Sequence, residues 1–255
     1  MHDAGITLKD AYKGYTQDQD KLIPPQETVE RIKEKLSRLD LDILENTLRI
    51  DNGRLGIPVY ISVCGKDARA VTGTQKQMGK GATPIQAEAS AVMELSERFS
   101  FFSFYKNPEN FFSAPYRAAP ENAIPFEMIA RSVHDDSEDL PCARSLFNDL
   151  PLQWTPAFNL TRMQPVSIPF TWFFTINEFN GPSAGNCVEE ALIQGICEVV
   201  ERHVSAMVSH QRLSVPSIRA DSAKDPVILD MLEKYRRAGI RLHPVSYTHL
   251  RAHET

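Results

Sequence analysis

Cysteine is scarce in this sequence, and no two cysteines have the CxxC spacing of a redox motif or a zinc site. The four are Cys64, Cys142, Cys187 and Cys197. Their spacing indicates no disulfide framework, so we expect free thiols in a reducing compartment.

An excess of basic residues is also missing, because the formal net charge is -5. A nucleic-acid-binding role therefore has no electrostatic support.

Long apolar runs are missing as well. The most apolar stretch, SIPFTWFFTI at 167–176, is much shorter than the roughly 20 residues that a membrane helix needs. We therefore predict an aromatic core strand here and no association with a membrane. The first residues, MHDAGITLKDAYKGY, contain no apolar segment of the kind found in secretory signals, so we expect a cytoplasmic protein.

What the sequence does contain is a mixture of helical and strand patterns. Helices are predicted at 24–39, 84–104, 183–204 and 225–239, a strand at 57–65 and after 239, and a hairpin of two strands within 154–174. A loop is predicted at 73–84 and an irregular insertion at 105–150. This order of elements predicts a mixed α/β (α+β) fold, not a bundle or a sandwich.

The helix predicted at 183–204, SAGNCVEEALIQGICEVVERHV, carries an unusual polar stripe. Glu190, Gln194, Glu198 and Glu201 follow one another at steps of four, four and three residues, which places them on one face. The rest of the circumference is largely apolar, as in a helix buried on most sides. The sequence thus predicts a buried helix with three carboxylates in one line.

An internal repeat strengthens the interest of this stripe. Aligning IQAEASAVMELSERF (85–99) with EEALIQGICEVVERH (189–203) superposes Glu94 on Glu198, Glu97 on Glu201 and Arg98 on Arg202. The same alignment superposes Gln86 on Glu190 and Ser90 on Gln194. Each helix follows a loop of small residues, with Thr83-Pro84 and Asn186 predicted as the helix N-caps.

Carboxylates gathered from two such helices would repel one another unless they were protonated, paired or bound to cations. Mg²⁺ prefers oxygen ligands and is usually held by one or two carboxylates, with waters and substrate phosphates completing its shell. The stripes therefore indicate a magnesium–nucleotide site. An alternative is purely structural, because Glu and Arg at i and i+4 stabilise a helix by ~0.3–0.5 kcal/mol per pair.

At this point two segments resemble a known family. GKGATPIQAEASAVMELSERFSFF and SAGNCVEEALIQGICEVVERH are similar to the two signature blocks of YcaO proteins. The resemblance implies a YcaO-like domain with an internally repeated helix/strand unit and a site for ATP and Mg²⁺ that is not a Walker fold. It also implies an enzyme that phosphorylates a peptide backbone amide to allow azoline or thioamide formation. The alternative within the family is a non-catalytic ATP-binding accessory factor for methylthiolation of a small-subunit ribosomal protein.

The resemblance also implies a set of site residues. It suggests four glutamates as metal ligands, namely Glu94, Glu97, Glu198 and Glu201. It suggests a nucleotide-binding set of Ser90, Asn186, Glu190, Gln194 and Arg202, together with Lys21 and Thr28 from the less distinctive segment KLIPPQET. It does not assign a catalytic residue.

The same resemblance sets expectations about extent and partners. We expect residues 1–244 to be the N-terminal part of a YcaO-like domain, incomplete and inactive alone. The last residues, VSYTHLRAHET at 245–255, look like a translated sequencing adapter, so we predict a non-native tail. Expected partners are a peptide or protein substrate, a protein that delivers substrate or sulfur, and a second copy in a homodimer.

Overall fold

The computed structural model describes residues 6–14, 21–133 and 138–246. The helices are α1 (Pro25–Ser37), α2 (Lys66–Thr72), α3 (Pro84–Lys106), α4 (Phe126–Arg131), α5 (Leu140–Asp149), α6 (Phe170–Asn177), α7 (Val188–Gln211) and α8 (Pro226–Arg237). The strands are β1 (Leu44–Arg49), β2 (Val59–Cys64), β3 (Lys76–Lys80), β4 (Phe112–Pro115), β5 (Pro151–Asn159) and β6 (Gln164–Pro169). The predicted mixture of helix and strand is confirmed. Within the described ranges, no helix is long and apolar enough to cross a membrane.

The chain forms two compact units, and the first takes the described residues of 10–103 and 180–255. Its sheet is antiparallel, in the order β1-β2-β3. Helix α3 packs on this sheet, and the buried Ser62 of β2 donates a hydrogen bond of 2.8 Å to the carbonyl of Ala91 in α3. Two clusters of buried apolar side chains fill this core: Ile43, Cys64, Ala68 and Leu95, and Val29, Ala89 and Val92.

The second unit takes the described residues of 1–9 and 104–179. It contains a second antiparallel sheet in the order β4-β5-β6. Trp154 of β5 is fully buried at its centre, and its indole N–H donates to the carbonyl of Ala114. The cluster around it includes Phe126 and Phe147, whose rings meet edge to face.

Three predicted elements differ from the structure. The predicted loop at 73–84 contains β3, which pairs along its whole length with β2. The predicted aromatic strand at 167–176 is mostly helical, because β6 ends at Pro169 and α6 begins at Phe170. In the described residues after α8, which end at 246, Val245 forms an isolated bridge with Ser217 and no strand is present.

The four cysteines are free thiols, as predicted. The predicted tail at 245–255 falls almost entirely outside the described residues, which end at 246. Its non-native origin therefore stays a prediction.

Candidate functional site

A cavity of about 290 Å³ lies in the first unit, where residues of α1, α3 and α7 approach one another. Its lining includes eight of the eleven predicted site residues: Lys21, Thr28, Ser90, Glu94, Glu97, Asn186, Glu190 and Gln194. These residues come from parts of the chain more than 150 positions apart. The fold thus brings together side chains that the sequence alone could only pair by analogy.

The strand that precedes α3 packs directly against the backbone of this helix, which fixes the position of α3 at the cavity. A Cβ atom added at Gly79 would lie 2.1 Å from the backbone nitrogen of Ala91, and one at Gly81 would lie 2.6 Å from that of Ala87. Real Cβ atoms essentially never come this close, so both positions require glycine. The intervening Lys80 lines the cavity.

The start of α3 is a capping box. The hydroxyl of Thr83 accepts from the backbone N–H of Gln86 at 3.3 Å, and Gln86 Oε1 accepts from the backbone N–H of Thr83 at 3.0 Å. The prediction of a cap at Thr83 is confirmed. From this fixed start, the helical period carries Ser90, Glu94 and Glu97 along one side of α3 into the cavity.

Two carboxylates of α3, those of Glu94 and Glu97, lie close to the guanidinium group of Arg98. Arg98 Nε lies 3.0 Å from Glu94 Oε1 and 3.6 Å from Glu97 Oε1. Burial raises the pKa of Glu97 to about 7, and the carboxylates of Glu94 and Glu198 act in the same direction. Arg98 and a hydrogen bond from the backbone of Ala184 lower this pKa, without offsetting the burial. Glu97 therefore lacks sufficient positive charge around it, as expected of a carboxylate that awaits a cation.

The start of α7 is held by a different arrangement. Glu190 Oε1 accepts from the backbone N–H of Asn186 at 3.2 Å and from its Nδ2 at 3.1 Å. Glu190 Oε2 accepts from the backbone N–H of Leu22 at 3.0 Å, and Thr28 Oγ1 donates to Asn186 Oδ1 at 3.1 Å. The N-cap itself is Cys187, whose sulfur accepts from the backbone N–H of Glu190. The prediction of Asn186 as N-cap is thus wrong by one residue.

Three predicted residues of α7 do not line the cavity, namely Glu198, Glu201 and Arg202. Glu198 is close enough to raise the pKa of Glu97, and it lies 3.6 Å from Arg202. The side chain of Arg202 is 59% exposed, and Glu201 is also exposed. Among the residues that the structure describes, no three histidine, cysteine, aspartate or glutamate side chains are grouped to hold a metal ion.

The four predicted metal ligands are therefore not gathered into one centre. A smaller site still fits Mg²⁺, because Glu94 and Glu97 supply two carboxylates and this ion takes its other ligands from water and phosphate. The raised pKa of Glu97 supports this reading, since a bound cation would favour its ionised form.

Several cavity residues were not predicted from the sequence. Lys80 adds a second cation beside Lys21, and its position between two glycines was the available signal. The lining also includes the apolar side chains of Ile23, Ala89 and Met93. These had no signal of their own, because apolar residues near a helix are typical of any core.

Comparison with known proteins agrees with this geometry. The family model described as YcaO cyclodehydratase, ATP- and Mg²⁺-binding, matches residues 78–250, about two thirds of the chain. The match includes both α3 and α7.

The chain spans only part of the length of two curated relatives that it matches. It is 28% identical over 238 residues to an uncharacterised protein of Methanothermobacter thermautotrophicus, covering 89% of this chain and 57% of the relative. It is 29% identical over 182 residues to the ribosomal protein S12 methylthiotransferase accessory factor YcaO of Escherichia coli, covering 63% of this chain and 31% of the relative.

Solved structures resemble this chain as well. YcaO from Methanopyrus kandleri, bound with AMPPCP and Mg²⁺, matches with a TM-score of 0.60 and 26% identity, over 92% of this chain and 58% of that one. A heterocyclase in complex with substrate and cofactor has the same fold, with a TM-score of 0.71 and 22% identity over 96% of this chain and 36% of that one. The chain therefore belongs to the YcaO family, whose domain binds ATP and Mg²⁺.

Proposed function

We propose that the cavity between α1, α3 and α7 binds Mg²⁺–ATP, and that the protein uses it to phosphorylate a peptide backbone amide. The observation that carries this proposal is the convergence of eight predicted residues on one cavity. Membership of an ATP- and Mg²⁺-binding family supports the ligand. The binding of AMPPCP and Mg²⁺ by the Methanopyrus kandleri protein supports it further.

The lining offers each part of the nucleotide a suitable environment. Glu94 and Glu97 would hold Mg²⁺, and the ammonium groups of Lys21 and Lys80 would pair with phosphate oxygens. The amide and hydroxyl groups of Gln194 and Ser90 would orient the ligand through hydrogen bonds. Few other small molecules need carboxylates for a cation and cations for an anion in the same cavity.

The reaction proposed is amide activation. The terminal phosphoryl group passes to the amide oxygen and ADP is released, which converts that oxygen into a leaving group. A thiol, hydroxyl or sulfide then adds to the amide carbon, and the oxygen departs with inorganic phosphate. A neighbouring side chain as nucleophile gives an azoline after loss of the amide proton, and sulfide gives a thioamide. Mg²⁺ would neutralise the charge that develops on the transferred group.

The second candidate is a non-catalytic ATP-binding accessory factor for methylthiolation of a ribosomal protein. It is favoured by the similarity to the Escherichia coli methylthiotransferase accessory factor. The two candidates differ in one measurable property. A cyclodehydratase or thioamide-forming enzyme hydrolyses ATP faster when its peptide substrate is present. An accessory factor binds ATP without such stimulation.

Both candidates act on a protein or peptide in the cytoplasm, which agrees with the free thiols of this chain. We expect a partner protein to deliver substrate or sulfur, and we expect a homodimer. Size-exclusion chromatography with light scattering would test the dimer directly.

The proposed site is tested by calorimetric titration with Mg²⁺–ATP. We expect the double variant Glu94→Gln, Glu97→Gln to bind at least tenfold more weakly than the unaltered protein, or about 1.4 kcal/mol. The variant Glu34→Gln serves as a matched control, because Glu34 is an exposed carboxylate of α1 that pairs with Arg38 and does not line the cavity. Equal binding by the unaltered protein and the double variant, or no binding by either, would overturn the site.

The predicted ligands outside the cavity are tested in the same way with Glu198→Gln, Glu201→Gln. A loss of affinity comparable to that of the α3 double variant would show that the C-terminal half of α7 takes part in binding. An unchanged affinity would restrict the metal site to α3.

A further inference from the structure

Glu190 is the most heavily engaged of the predicted ligand residues. Its Oε1 atom accepts two hydrogen bonds from Asn186, and its Oε2 atom accepts one from the backbone N–H of Leu22. An ionised carboxylate can only accept hydrogen bonds, and here each oxygen already has a donor from the protein. The side chain therefore fastens parts of the chain to one another.

The part that it fastens is distant in sequence. Leu22 and Glu190 are 168 positions apart, and the second tie, from Thr28 to Asn186, spans 158 positions. These two hydrogen bonds hold the segment at 21–28 against the start of α7. The first residue of that segment is Lys21, whose side chain lines the cavity.

Comparison of Glu190 with its counterpart in the internal repeat, Gln86 of α3, shows which hydrogen bond is specific to α7. Gln86, the counterpart of Glu190, uses its single side-chain oxygen to accept from the backbone N–H of Thr83 in the capping box. Glu190 Oε1 instead accepts from the backbone N–H of Asn186, which lies one residue before Cys187, the counterpart of Thr83. A carboxylate has a second acceptor oxygen where an amide has a donor NH₂ group, and that second oxygen binds Leu22.

We infer that Glu190 is a positioning residue, which holds Lys21 at the nucleotide cavity by tying the 21–28 segment to α7. The inference rests on the proposed nucleotide site for its effect on binding. This positioning role differs from the role implied by the family resemblance, in which Glu190 binds the nucleotide directly.

The substitution Glu190→Gln separates the two roles. Glutamine keeps one acceptor oxygen for the two donors of Asn186, but presents an NH₂ group to the N–H of Leu22. Two donors facing each other cannot form the tie. The experiment compares the unaltered protein, Glu190→Gln, Lys21→Met and the double variant in calorimetric titrations with Mg²⁺–ATP, with Glu34→Gln as the control.

If Glu190 acts through Lys21, its substitution matters only while Lys21 is present. We expect Glu190→Gln to weaken binding about tenfold in the Lys21 protein, since the hydrogen bond from Leu22 to a charged carboxylate is lost. In the Lys21→Met background, we expect a change of less than about twofold. Equal losses in the two backgrounds would overturn the inference and assign Glu190 to the nucleotide.

A second measurement needs no nucleotide. Amide hydrogen exchange at Leu22 should be at least about tenfold faster in Glu190→Gln than in the unaltered protein, because the tie is lost. Exchange at Leu22 that is unchanged would overturn the inference even if ATP binds. Faster exchange in a protein that fails to bind ATP would leave the tie established and the proposed function wrong.

Discussion

Helices α3 and α7 are two copies of one sequence pattern placed in different surroundings. In both, a glycine precedes the helix, and a Cβ atom added there would strike the backbone of its first turn. The distance is 2.6 Å from Gly81 to the nitrogen of Ala87 and 2.4 Å from Gly185 to that of Ala191. These residues are equivalent in the 104-position alignment of the stripes. The repeat thus includes the way in which each loop lies against its helix.

Burial separates the two copies. Ala87, Ala91, Val92 and Leu95 of α3 are fully buried. Leu95 packs in the cluster that includes Cys64 of β2, and Val92 packs in the cluster that includes Val29 of α1. On α7 five apolar side chains are more than half exposed, including Ile193 at 60%, whereas Val204 is buried. The expectation of a buried α7 is therefore wrong in this structure. An apolar circumference indicates that a helix can be buried, but only neighbouring elements can bury it.

The largest effect that would sharpen this comparison is expected at the two glycines. Gly81→Ala should destabilise the protein by about 3 kcal/mol, because α3 is held by the core on its other side and cannot withdraw from the new methyl group. Gly185→Ala should cost only about 1 kcal/mol, since α7 has free space on its exposed side and can shift. Urea denaturation of both variants would measure the difference. Equal costs would show that the burial of α3 does not restrain it.

Much of the site was predictable from the sequence because it depends on local spacing. Steps of three and four residues fix which side chains of α3 share a face, and the capping box at Thr83 fixes where that helix begins. The family resemblance then identified Lys21 and Thr28, which no local pattern connects to α3. Eight of eleven residues accordingly line one cavity.

The elements and contacts that could not be predicted from the sequence depend on interactions between distant segments. Strand β3, with two glycines at its end, looks like a loop until its pairing with β2 is known. The aromatic residues of α6 favour a strand by propensity, yet Pro169 ends β6 and a helix follows. The tie between Glu190 and Leu22 joins residues 168 positions apart, and no periodicity reports such a contact.

A smaller effect should appear in the dependence of binding on pH. The proton on Glu97 competes with Mg²⁺, because burial raises the pKa of this carboxyl to about 7. We expect the affinity for Mg²⁺–ATP to rise between about pH 6 and pH 8 and to level off above that. In Glu97→Gln the rise should be much shallower, as measured by titration at several pH values. A rise of equal size in the variant would assign the titration to another group.

The same shift has a consequence for the protein without ligand. A carboxyl whose pKa is raised by folding contributes stability below its unfolded pKa, near 4.5, and that contribution is lost as the pH rises through about 7. Thermal unfolding of Glu97→Gln and of the unaltered protein across this pH range would measure the contribution of this carboxyl. An equal dependence of stability on pH in the two proteins would assign it to another group.

The smallest effect is expected at Arg202, the arginine that directly follows Glu201 in α7. Arg202 lies 3.6 Å from Glu198 with 59% of its side chain exposed, so Arg202→Ala should change the free energy of unfolding by at most about 0.5 kcal/mol. Arg98, only 18% exposed and close to both Glu94 and Glu97, should cost about 2 kcal/mol or more when replaced by alanine. Denaturant unfolding of both variants measures the contrast. A large cost at Arg202 would mean that the ion pair of α7 is far less exposed to solvent than this structure shows, and the contrast between the two helices would then fail.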